Sequence, residues 1–209
     1  MAVGTLGWMA LTLQYALVLT GTLGADSFTR SINFFSYFTI LTNILAALAL
    51  TLPWLAPQSV PGRFFSRPSV RTAIVTYIII VMTIVYFVLR HLTTLQGWNF
   101  VADLLLHYVM PVLFVIDWLL FVPKQSLKVT DTFGWLAYPI VYLIWTFVHG
   151  AYSGFYPYPF LNNSELGIAR VLLNEAGLLV IFLVLGFGLV TGGQLLDKAR
   201  KTRSVNLPN

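Results

Sequence analysis

Asp103 and His107 stand four residues apart in the stretch DLLLHYVMPVLFVID, and Thr39 lies in SYFTILTN. A hydroxyl becomes a nucleophile when a base sits within hydrogen-bond reach, and histidine is the usual base. A carboxylate that orients the imidazole completes the arrangement. The chain holds no cysteine, so thiolate chemistry and disulfides are excluded. A nucleophile here is therefore a hydroxyl, a carboxylate or an activated water. These types define one expectation: Thr39 as nucleophile and His107 as base, with Asp103 supporting the imidazole where rotamers bring the two together.

Such residues need elements to position them, and composition says which. Of 209 residues, 58% are hydrophobic and 9% charged, against roughly 25% charged in soluble domains. The chain reads as one polytopic membrane domain, without internal repeats or long linkers. Six windows reach the roughly 20 apolar residues a span requires: 2–23, 32–55, 70–90, 100–121, 133–150 and 168–192. The short breaks make consecutive helices antiparallel neighbours. The expected fold is an all-α integral membrane bundle of six transmembrane helices over residues 1–195, with a basic tail at 196–209. The first window lacks the positive n-region of a signal peptide and is long enough to span.

Charge orients the bundle. Arg63, Arg67, Arg71, Lys124, Lys128, Lys198, Arg200, Lys201 and Arg203 fall on the side of the chain ends, and Arg30, Arg90 and Arg170 on the other. Nine against three places both termini in the cytoplasm. The net charge of +5 is then a topology signal that also meets anionic headgroups, not a nucleic-acid site.

Polar groups inside a bilayer mark the bundle interior by default. At 100° per residue, Asp103, His107, Met110, Phe114 and Asp117 share a stripe about 80° wide. A rise of 1.5 Å per residue puts His107 and Thr39 each about 10 Å below the outer end of their helices. Asp117 lies about 15 Å further along, a structural or second polar centre that stands alone near the cytoplasmic end. Ser36, Thr42 and Asn43 share the broad face of Thr39. Arg170, Asn174 and Glu175 open the last span, and His91 and His149 also lie in the outer half. These positions describe one outward-facing polar site. Asn43 or backbone amides are the available oxyanion donors. Pro111 is expected to kink the fourth span and free a carbonyl. The stretch YSGFYPYPF reads as an interfacial belt or as the entrance for an apolar substrate.

Other readings stand beside this one. Serine and threonine in membrane helices often bond their own backbone or join helices, and Asp103–His107 at i, i+4 can be only a helical pair. All four lysines lie in loops or tail, which excludes a retinal Schiff base. A transporter would use broken helices and midplane charges, and no pair of broken helices is evident. Three histidines with Asp103 offer zinc its ligand types but no ligand spacing. A non-enzymatic site for a lipid or small molecule remains the main alternative. No cofactor is called for.

The segments FFSYFTILTNIL, HYVMPVLFVIDWLLF and VHGAYSGFYPYPFLN resemble a family of bacterial six-span membrane proteins. Those are distant relatives of the eukaryotic androgen-induced gene and androgen-dependent TFPI-regulating proteins. The resemblance covers most of the chain from the second span to the sixth. Its most specific parts are Tyr158–Leu161 and the interval from His107 to Asp117. The eukaryotic members are similar to threonine hydrolases of fatty acid esters of hydroxy fatty acids. The resemblance implies a catalytic threonine at Thr39, with Thr42 one turn away, and a histidine at His107. It also implies an apolar ester substrate drawn from the bilayer and a place in a bacterial plasma (inner) membrane. The proline four residues after His107 departs from the family, which has it one residue later.

Overall fold

The computed structural model describes residues 1–21, 25–92 and 94–205, the last three by backbone alone. Residues 22–23 of the first window, and 206–209 with the Arg203 side chain in the tail, lie outside the described residues. The fold is all-α. Six helices are long and apolar enough to cross a membrane: Ala2–Thr20, Phe38–Leu55, Pro68–Leu89, Gly97–Phe121, Asp131–Ser153 and Ile168–Thr202. Lipid offers no partner to a backbone N–H or C=O, so a chain this apolar crosses as helices that satisfy themselves. The second and third spans bury 56% of their apolar windows and the others 22–33%. Those two are the centre, and the remaining four surround them.

Small residues set the closest approach. A Cβ on Gly4 would stand 2.6 Å from Thr51 Cγ2, and one on Gly7 would stand 2.7 Å from Met110 Cε. With Ala10, fully buried, they form the face that lets the first span lie against the second and, at Gly7, the fourth, a recurring device of membrane helices. Outside the spans, caps do the local work. Asp26 accepts from the N–H of Phe28 and Thr29 at 2.8 and 3.0 Å to start the short helix Ser27–Phe35. Those bonds, the Thr29 amide foremost, hold its carboxyl below the usual aspartate range. Ser59 caps Val60–Ser66 in the same way. The fifth span ends at Gly154, whose φ of 71° is the left-handed conformation that glycine adopts freely.

Three features depart from the sequence reading. The second window is not one helix: Ser27–Phe35 and Phe38–Leu55 are separated by Ser36 and Tyr37. No glycine or proline marks this break, so a broken helix is present where none was evident. It is held from the fifth span, where the Tyr142 hydroxyl donates to the Ser36 carbonyl and the Trp145 indole N–H to the Ser36 hydroxyl, both at 3.0 Å.

The fourth span carries a π-helical turn, Leu105–Val109, around His107. Within it Met110 N–H bonds to the Leu105 carbonyl. The next donor in that pattern would be residue 111, a proline with no N–H. The Leu106 carbonyl is thereby freed, as expected of Pro111, and Asn43 Nδ2 fills it at 3.1 Å. The extra residue in the turn also rotates the stripe. Asp103 and His107 keep partial exposure, while Met110 and Phe114 are wholly buried. Finally, the last helix does not stop at 192 but runs Ile168–Val205 into the tail.

At the end of the bundle that holds Met1 and the 193–202 part of the last helix, Asp117 does not stand alone. It is paired with Arg71 of the third span, a residue read in sequence only as a topology charge. Next to it the Trp118 indole donates to Thr72 at 2.9 Å. Lys124, 1% exposed, donates its ammonium to the carbonyls of Trp118, Leu119 and Val122. It thus closes the orphan end of the fourth helix. Burial lowers its pKa, with Asp197 opposing, and Asp197 also accepts the Lys124 backbone N–H at 2.7 Å.

Candidate functional site

Because the second span restarts at Phe38, Thr39 occupies the first turn of a new helix, inside the bundle. Its amide is one of the N–H groups that a helix start leaves free, and the dipole there favours negative charge. A tyrosine from the loop after the fifth span meets it. The Tyr158 hydroxyl lies 3.2 Å from both Thr39 Oγ1 and Thr39 N, so it accepts the amide N–H and shares a bond with the hydroxyl. Tyr158 stacks on Phe160 with centroids 5.3 Å apart and meets Tyr37 edge-on. Burial pushes its phenol up to about 12, so it is neutral at pH 7 and is no base for Thr39.

The loop that delivers Tyr158 is itself pinned. Asn174 Nδ2 donates to the Phe160 carbonyl at 2.9 Å. Tyr156 lies against Gly150, where a Cβ would come within 2.2 Å of its ring. The stretch YSGFYPYPF is therefore only partly a belt: Tyr152 is exposed, but Tyr158 is buried.

Thr39 and Tyr158 line a narrow cleft of about 50 Å³. Its walls come from the second, third, fifth and sixth spans and from the 158–161 loop, and are mostly aliphatic and aromatic. Glu175 of the sixth span lines the same cleft. Its side chain is buried, the residue being 8% exposed, and it has no hydrogen-bond or ion-pair partner among the described residues. Of the residues singled out in sequence, the structure thus brings Thr39 and Glu175 together.

His107 is placed differently. Neither it nor Asp103 lines the cleft, and Thr39 Oγ1 bonds to Tyr158 rather than to the imidazole. His107 Nδ1 and Asp103 Oδ1 are 2.7 Å apart, with 19% and 26% of their side chains exposed. The contact lacks hydrogen-bond geometry and becomes an ion pair when the ring is protonated. Asn43 joins the two regions: its amide donates to the Thr39 carbonyl at 2.9 Å and to the Leu106 carbonyl beside His107. Both amide hydrogens are used, so Asn43 offers an oxyanion no free donor.

The remaining positions have local duties. Thr42 shares a hydrogen bond with Tyr138 at 3.1 Å. His149 stacks on Trp145 and contacts Asn33 Oδ1 at 2.9 Å, tying the short helix 27–35 to the fifth span. Arg170 is exposed. Among the described residues no group of three or more His, Asp or Glu is close enough to hold a metal ion. No family model, curated protein or solved structure matches this chain.

Tyr158 was visible in sequence as part of an aromatic loop and of the Tyr158–Leu161 stretch that carries the resemblance, with no role attached to it. Its signal was the pair of prolines at 157 and 159, which restrict the backbone on both sides. Tyr142 carried no signal at all.

Proposed function

We propose that this protein binds an amphiphilic, lipid-like molecule drawn sideways from the bilayer, with its chain in the cleft and its polar end at Thr39, Tyr158 and Glu175. The observation that carries this reading is the cleft itself: apolar walls with a few convergent polar groups are the usual form of a small-molecule site. The test is displacement of a fluorescent acyl-chain probe from purified protein. Leu178, half-buried on the cleft wall, becomes tryptophan in the comparison variant. Saturable binding that Leu178→Trp abolishes is expected. Equal binding by the variant would end the proposal.

A second reading has its own observation. Thr39 stands in the first turn of a helix, where developing negative charge is favoured, and an acyl chain in the cleft would bring an ester near it. In this reading Thr39 Oγ1 attacks the carbonyl, His107 takes the proton and returns it to the leaving alkoxide, and water then frees the acyl group. Thr39 must first exchange its Tyr158 bond for the imidazole. Fluorophosphonate labelling that Thr39→Ala and His107→Ala both remove supports hydrolysis, while labelling that survives Thr39→Ala sinks it.

Nine basic residues at one end against three at the other support a plasma-membrane protein with both termini cytoplasmic. That orientation puts the cleft in the outer half. Reporter fusions at the C-terminus check it; an externally active fusion would reverse it.

A further inference from the structure

We propose that the cleft selects an amphiphile whose polar end is an aliphatic ammonium, seated on Glu175. The proposal rests on the binding reading above and names its ligand class.

Glu175 is more than nine-tenths buried, faces the cleft and has no partner among the described residues. A carboxylate removed from water without a partner is costly, and a counter-charge removes most of that cost. The protein supplies none there: no lysine, arginine or histidine lines the cleft. Arg170, one and a half turns earlier on the same helix, is exposed and makes no ion pair with it.

The other polar groups on the walls are oxygens. The Tyr142 hydroxyl donates its hydrogen to the Ser36 carbonyl, and the Tyr158 hydroxyl accepts from the Thr39 amide. An alkylammonium offers three donors and no acceptor, which suits a carboxylate flanked by hydroxyl oxygens that can accept. Phe38, Phe160 and Phe182 also line the cleft, and aromatic faces attract a cation. A carboxylate or phosphate head would instead set a second negative charge beside Glu175. The ligand class is therefore a long-chain amine without phosphate, whether it arrives as a membrane lipid or as a free hydrophobic amine.

The test uses the full-length protein in a neutral detergent with the acyl-chain probe, displaced by dodecylamine, dodecanol or dodecanoic acid. Wild type should prefer the amine to the alcohol by at least about tenfold, the scale of one buried charge pair, with the acid weakest. Glu175→Gln should keep alcohol binding and lose the preference for the amine. An amine no better than the alcohol in wild type overturns this inference while leaving the cleft as a binding site. A preference that survives Glu175→Gln overturns it as well. Failure of all three compounds to displace the probe refutes the binding reading itself. The wild-type ranking reads the proposal even if the variant does not fold. Dodecylamine presented in vesicles and in solution separates the two sources.

Discussion

The two ends of this bundle treat buried charge in opposite ways. Near the chain termini each buried ionisable group has a partner: Asp117 with Arg71, and Lys124 with three carbonyls and the face of Trp118. At the other end Glu175 sits in an apolar cleft with none among the described residues. Burying a charge costs the same kind of energy in both places. Where the bundle answers that cost internally, the groups hold helices together. Where it leaves a carboxyl without an internal partner, the cleft is the site proposed above for a ligand.

Substitutions sharpen this contrast. The largest effect is expected at the ion pair, where Arg71→Leu or Asp117→Leu leaves the other charge unpaired. Each should cost roughly 3–5 kcal/mol, and the double Leu variant should recover most of it. Thermal unfolding in detergent checks this, and a double variant as unstable as the singles would break the account.

Asn43→Leu comes next. It strips the Leu106 carbonyl of its donor beside Pro111, for a loss of about 1–3 kcal/mol. An unchanged melting temperature would mean that another group satisfies that carbonyl.

A smaller effect belongs to Asp26. Its carboxyl is held below the ordinary 3.8 by amide hydrogen bonds, so the unfolded state binds its proton more readily. The cap therefore contributes above pH 3.8 and is lost as pH falls through the lower folded value. Helicity of the 27–35 segment, followed by amide exchange, should fall over that window and do so less in Asp26→Asn.

The smallest effect on stability is expected at Glu175, where Glu175→Gln orphans nothing. Its melting temperature should match or exceed that of wild type, the opposite of Asp117→Leu. A drop like that of the ion-pair variants would show that Glu175 has a structural partner.

How much of this was legible in sequence follows the same physics. Six spans were plain because hydropathy over about 20 residues is a strong signal. Depth was also legible: a rise of 1.5 Å per residue put Thr39 and Glu175 in the half that holds the cleft. Azimuth was not. Thr39 and His107 share a depth, but which helix a face meets depends on packing order, and a helical wheel carries no information about that. The π turn at Leu105–Val109 further rotated Asp103 and His107 away from the phase that 100° per residue assigns. The break at Ser36–Tyr37 left no trace because its cause lies in Tyr142 and Trp145, over 100 residues away. Asp117 reads as solitary in sequence because its partner Arg71 lies 46 residues away on another helix.

The most direct measurement is where a bound chain lies. A photoreactive acyl-chain probe, activated on the purified protein, should attach to residues around Thr39, to the 158–161 loop and to the 178–182 turn of the sixth span. Attachment confined to lipid-facing positions such as Val141, Ile144 and Leu173, with none in the cleft, would contradict the account.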